Sequence, residues 1–148
     1  MVDILHRIGA VAPAPAAAYE ALTKVDALAG WWTEETRGSG DAIGDKLEFR
    51  FPTGGFDMEV VELVPDERVV WRVIDGPAEW VGTTIEWELR QDGEYVVVLF
   101  AHRGWREPVE FMHHCSTKWA SFLLSLKLLV ETGAAAPAPR DVRVDNWG

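Results

Sequence analysis

The order of hydrophobic patterns along the chain constrains the fold more than any single motif does. An apolar opening segment, Ile4–Val11, reads as a strand. Short helical pieces follow and end in Trp31–Trp32. Strand signals then run from about Asp45 to Arg103, with about six strands expected there. One long apolar-striped segment, Pro108–Thr132, closes the pattern as a helix. Strands joined by short turns around one long helix define an α+β domain, not a doubly wound parallel sheet. The expected architecture is a curved antiparallel sheet of about seven strands wrapped around a C-terminal helix, with two short helices after the first strand. Such an arrangement encloses either a packed core or a small apolar ligand.

The local signals support each element. Pro13 and Pro15 punctuate the change from strand to helix, and Pro is tolerated in a first helical turn. Ala16–Thr23 has good helix formers. Asp26 suits the N-cap of a second short helix, Ala27–Trp32. Leu47, Phe49 and Phe51 alternate with polar neighbours, as do Phe56, Met58 and Val60. The pair Val60–Val61 breaks the alternation, as either a bulge or a strand curling over a core would. Ile85, Trp87 and Leu89 alternate with Glu86, Glu88 and Arg90. Asp92–Gly93 marks a hairpin turn, and Tyr95–Ala101 is nearly all apolar. Turns after Phe51, Leu63 and Gln91 are too short for parallel crossovers.

In the last helix Met112, Cys115, Trp119, Phe122, Leu126 and Leu129 recur at steps of three or four, with Lys118 and Lys127 off that stripe. Gly133 suits its C-cap. The domain is expected to span residues 1–133. Residues 134–148 form an Ala/Pro linker, expected to be extended and mobile, and a charged tail with Trp147 that either docks on the domain or stays disordered.

Charge narrows the partners. The formal net charge is −10, from 24 acidic and 14 basic residues, with no Lys/Arg stripe. Nucleic acid and anionic membrane surfaces are therefore not expected as partners. No apolar run reaches the ~20 residues needed to cross a bilayer. The N-terminus has no basic region followed by an apolar one, so a cytoplasmic location is expected. One cysteine permits no internal disulfide. Abundant Ala, Pro, Gly and Trp suit a GC-rich bacterial genome.

Four groups of residues are candidate sites. Phe49, Met58, Trp71 and Trp87 on the sheet are expected to face Trp119, Phe122 and Leu126 on the helix, with Trp32 near the mouth. This set is the candidate lining of a pocket for a small hydrophobic molecule. His113-His114-Cys115 carries metal-binding residue types. Adjacent helix positions diverge by ~100°, so no metal or other cofactor is expected there. Glu62, His102, Glu110 and His113 are the candidates for acid–base chemistry, should they face the cavity, with Glu62 and His102 as the leading bases. Trp80, Trp105 and Arg106 lie in loops and act either as interface anchors or as lids over the core. No P-loop, dinucleotide fingerprint, nucleophile elbow or zincin motif is present.

Several stretches resemble the START-like (SRPBCC) superfamily, in its branch of activator of heat-shock protein ninety ATPase homologue-like domains. They are Tyr19–Thr23, Gly30-Trp31-Trp32, Glu62–Trp71, Trp80–Thr83, His102–Trp105 and the helix Cys115–Leu129. The resemblance covers roughly Ile4 to Gly133. It implies the helix-grip fold. The superfamily includes lipid carriers, hormone receptors, polyketide cyclases and co-chaperone domains. Non-enzymatic binding of a small hydrophobic ligand is the leading expectation. A surface-acting, co-chaperone-like protein is the alternative, and a small cyclase or hydrolase is a second one. In eukaryotic activators such a domain follows a separate N-terminal domain; none is expected within these 148 residues, which makes a co-chaperone role the lesser expectation. Either a monomer or a homodimer is expected.

Overall fold

The computed structural model describes residues 1–148. The chain runs β1 (Val2–Val11), α1 (Ala16–Thr23), α2 (Val25–Trp31), β2 (Glu35–Gly38), β3 (Lys46–Phe51), β4 (Gly54–Val64), β5 (Arg68–Asp75), β6 (Thr84–Asp92), β7 (Tyr95–Trp105) and α3 (Glu110–Thr132). The strands form one seven-stranded sheet in the order β1-β7-β6-β5-β4-β3-β2. Every neighbouring pair is antiparallel. This is the α+β helix-grip architecture expected from the sequence. One strand of the expected run lies earlier than the alternation indicates. It is β2, a four-residue edge strand with only Thr36 buried, so its composition carries no period.

The turns are short because their residues permit it. Phe51 pairs with Gly54 across Pro52–Thr53, and Asp92 pairs with Tyr95 across Gly93–Glu94. Gly93 takes the positive φ of 61° that a two-residue hairpin requires at its first position. The second short helix begins at Val25, earlier than expected. Asp26 therefore lies in its first turn, where a carboxylate favours the helix dipole, and makes no side-chain cap.

A bulge decides where Glu62 points. Pairing of β4 with β5 skips Val61, between the Val60–Trp71 and Glu62–Val70 pairs. Before the skip the even residues Met58 and Val60 face the core; after it Leu63 does. One extra residue reverses a two-residue period, so Glu62 turns outward. There Arg68 bonds Glu62 at 3.0 Å, Glu86 at 3.0 Å and Glu88 at 2.8 Å.

The helix α3 lies across the concave face of the sheet, its stripe Cys115, Trp119, Phe122, Leu123 and Leu126 buried. Polar contacts pin its C-terminal half. Lys127 Nζ donates to the Gly9 carbonyl at 2.6 Å, and Glu131 accepts from the Val11 N–H at 2.7 Å. Ser125 Oγ donates to the Trp31 carbonyl at 2.7 Å and so ties α3 to α2. Gly133, at φ 84°, ends the helix and donates to the Leu129 carbonyl at 2.8 Å. No helix is long and apolar enough to cross a membrane.

Residues 134–148 fold back instead of extending freely. Ala138 forms a bridge with Thr33, its N–H donating to the Trp32 carbonyl at 2.8 Å. Its own carbonyl accepts from the Glu34 N–H at 3.0 Å. Arg140 pairs with Glu34 at 2.7 Å and Asp141 with Lys118 at 2.5 Å. The Ala/Pro composition indicates an extended segment, but docking against the edge of the domain supplies partners that composition does not reveal.

Candidate ligand-binding cleft

The interior between sheet and helix is an aromatic core without a ligand-sized gap. Trp31 and Trp32 stack at 5.5 Å, and Trp32 stacks on Trp71 at 5.9 Å. Trp87 meets Trp31 edge-on at 5.9 Å and Trp71 at 5.6 Å. Offset and edge-on ring pairs of this kind add to the gain from burial. Of the eight expected lining residues, Phe49, Met58, Trp71 and Trp87 are 0 % exposed, and Leu126 is equally sealed at 1 %. These five sit in the packed interior. Trp32, Trp119 and Phe122 are buried too, but they border open space.

That space is a cleft of about 830 Å³ at one end of the grip. One wall is the β3–β4 hairpin, Phe51 to Phe56. A second is the loop after β5, with Pro77, Glu79 and Trp80. The helix α3 supplies Phe111, His114, Cys115, Lys118, Trp119 and Phe122 as the floor. The folded-back tail contributes Ala138, Pro139, Asp141, Arg143, Trp147 and Gly148. The wall is aromatic: Trp80 stacks on Trp119 at 5.9 Å and lies 4.5 Å from Phe56.

Sequence patterns gave Trp80 a choice between interface anchor and lid. It folds inward, as does Trp105, and both are buried. Phe51, Phe56 and Phe111 escape notice in the sequence because half-buried aromatics at element ends look like ordinary core. Lys118 carries a signal visible beforehand, a cation directly beside the apolar stripe. The tail residues carry none except Trp147.

The polar and charged side chains of the cleft, Glu79, His114, Lys118, Asp141 and Arg143 among them, stand around the aromatic wall. Burial pushes the Cys115 thiol up to about 12, so it stays protonated. The Trp80 Nε1–H is buried and directed at the Cys115 sulfur, a weak acceptor. His114 Nδ1 meets Asp145 Oδ2 at 2.7 Å, while His113 points to solvent. Lys118 Nζ donates to the Val142 carbonyl at 2.7 Å and to the Gly148 main-chain oxygen at 2.8 Å, and lies 5.2 Å from the Phe122 ring centre.

Of the four acid–base candidates, Glu110 and His113 are exposed on α3, and the other two part ways. Glu62 is on the outer face, paired with Arg68. His102 faces inward and is 0 % exposed. Its Nδ1 accepts from Trp119 Nε1–H at 3.1 Å, because an indole N–H only donates. Nε2 therefore carries the proton and donates to Thr83 Oγ1 at 2.8 Å, which donates to the Trp80 carbonyl at 2.5 Å. Both ring nitrogens are occupied, so no lone pair remains for a substrate.

The comparisons with known proteins agree with this architecture. The family model described as "Activator of Hsp90 ATPase homolog 1-like protein" matches residues 13–131. No curated protein matches the chain. Among solved structures, the solution structure of the Aha1 dimer from Colwellia psychrerythraea is similar at 44 % identity and a TM-score of 0.83, covering 90 % of this chain and 98 % of that one. SSP2350 from Staphylococcus saprophyticus shares the fold at 14 % identity and a TM-score of 0.76, covering 93 % of this chain and 98 % of that one. DynU16, from the dynemicin biosynthetic locus, shares it at 22 % identity and 0.73, covering 90 % of this chain and 48 % of its own. With the family model spanning most of the residues that build the sheet, the floor and the cleft walls, the chain belongs to the activator of Hsp90 ATPase homolog 1-like family.

Proposed function

We propose that this protein binds a small hydrophobic molecule in the cleft between the β3–β4 hairpin, the Pro77–Trp80 loop and α3. The reading carries no chemical step. The observation that supports it best is an aromatic cleft of about 830 Å³ beside a core that is otherwise filled. Pockets that hold small molecules have this size and a mostly apolar lining. Burial of apolar ligand surface against Phe56, Trp80, Trp119 and Phe122 would contribute roughly 25 cal/mol per Å². Native mass spectrometry of the protein from cells, followed by extraction, tests the reading. A co-purified apolar molecule supports it. A bare mass, together with no saturable change in tryptophan emission on adding alkyl ligands, overturns it.

A second reading concerns partners. The 44 % identical relative from Colwellia psychrerythraea is described as a dimer, which favours a homodimer here. Leu124 and Leu128 stand exposed one turn apart on the outer side of α3, a surface suited to association. Sedimentation of the protein and of Leu124→Glu tests this, a monomeric native protein counting against it. The family description also supports a chaperone-directed role. Added protein that leaves the ATPase rate of a heat-shock protein ninety chaperone unchanged would remove that option.

A further inference from the structure

We infer that the ligand of the cleft is an apolar molecule carrying one carboxylate, held by Lys118, and that the chain's own tail occupies the same ground as a displaceable strap. This rests on the reading of the cleft as a binding site. Lys118 stands on the floor of the cleft, between the apolar wall and the solvent, with its side chain 18 % exposed. Its ammonium is served entirely from the tail: the Asp141 carboxylate, the Val142 carbonyl and the Gly148 main-chain oxygen. No carboxylate from the sheet or from α3 itself pairs with it. The cation is thus satisfied only while the strap is down.

The strap mimics an amphipathic ligand. Ala138 and Pro139 place apolar surface against the cleft, and Asp141 delivers a carboxylate to Lys118. A molecule with an apolar body and a terminal carboxylate would make both contacts at once. It would replace Asp141 charge for charge, so Lys118 is never left desolvated without a partner. A neutral ligand that moved the strap would leave that cation unpaired, and this difference is the source of selectivity. Two other charges rim the cleft, Glu79 and Arg143, and Arg143 makes no ion pair. It is the competing recogniser that an experiment must separate.

Decanoate and its methyl ester, titrated into the full-length protein with tryptophan emission as readout, test the assignment. The acid is expected to bind about tenfold more tightly than the ester, as a charge-assisted hydrogen bond provides. Lys118→Met should remove that preference and leave ester binding equal or stronger. Asp141→Asn, which loosens the strap, should strengthen binding of the acid several-fold. Equal affinity for acid and ester in the native protein overturns the inference while leaving the cleft as a hydrophobic site. A preference lost in Arg143→Gln but kept in Lys118→Met moves the recognition to Arg143 and overturns it as well. Weaker acid binding in Asp141→Asn overturns the competition by the strap. Failure of both ligands to bind overturns the inference and the proposed function together.

Discussion

The Trp119 indole donates its N–H to His102 Nδ1 at 3.1 Å, and this bond joins the middle of α3 to the inner face of β7. It also fixes the imidazole tautomer, because the proton must then sit on Nε2 and point at Thr83. From Thr83 the chain of bonds continues to the Trp80 carbonyl, so one wall of the cleft is held by the same line of contacts. A residue that looks catalytic by type is here a buried strut. Its role is to position Trp80 and Trp119, which form the cleft's aromatic wall.

That arrangement sets a pH dependence. Burial pushes His102 down from 6.5 to about 3. Between those values the unfolded chain binds a proton that the folded chain refuses, so stability rises with pH across the interval. The contribution is complete above about 6.5 and is lost as the pH falls towards 3; it amounts to about 5 kcal/mol. Urea midpoints measured from about pH 7 down to about pH 4 should therefore fall, and should fall less steeply in His102→Gln. Identical slopes in both proteins would assign the acid sensitivity to the carboxylates alone.

Core and cleft residues should separate in their effects. Trp87 is sealed among other rings, and Trp87→Ala should cost about 4 kcal/mol of stability, read as a shift in the urea midpoint. Ligand affinity in the surviving folded fraction should change little. Phe56, which is half-buried and lines the cleft, should behave in the opposite way. Phe56→Asp is expected to abolish ligand binding at a smaller cost in stability. Loss of affinity in Trp87→Ala with full retention in Phe56→Asp would place the ligand in the interior instead.

The strap should be separable from the domain. Ala138 is buried against Thr33, and Ala138→Asp would bring an unpaired carboxylate into that site. The expected result is a detached tail on an intact domain. Trypsin should then cut at Arg140 and Arg143 at least tenfold faster, while amide exchange in β5, β6 and β7 stays slow. Exchange that accelerates throughout the sheet would mean that the tail is integral to the fold.

Cys115 offers a further check. Its thiol is buried and raised to about 12, so almost no thiolate exists near neutral pH. Reaction with a disulfide reagent at about pH 8 should be slow in the native protein and fast in denaturant. Fast labelling without denaturant would show that α3 opens near the cleft.

Much of the fold was legible because periods survive in the sequence. Leu47–Phe49–Phe51 and Ile85–Trp87–Leu89 announce half-buried strands, and Cys115–Trp119–Phe122–Leu126 announces a helix stripe. The edge strand β2 was not legible, since a strand that buries one residue leaves no alternation to read. Of the expected site, Trp32, Trp119 and Phe122 meet at the cleft, while Phe49, Met58, Trp71, Trp87 and Leu126 close up in the interior. A period says which face a side chain occupies. It does not say whether the opposing side chains leave a gap, because that depends on ring volumes and angles across elements far apart in sequence.

The sequence by itself determined the element order, the antiparallel pairing, the break in alternation at Val60–Val61 and the inward faces of strands and helix, all of which follow from local sterics and from burying apolar surface. Only the tertiary structure decided that the interior is filled and that the open space lies at one end. It alone turned Glu62 outward to Arg68, saturated His102, and laid residues 134–148 across Lys118. Each of these depends on which groups from distant parts of the chain arrive within hydrogen-bond or van der Waals reach, and no local pattern encodes that distance.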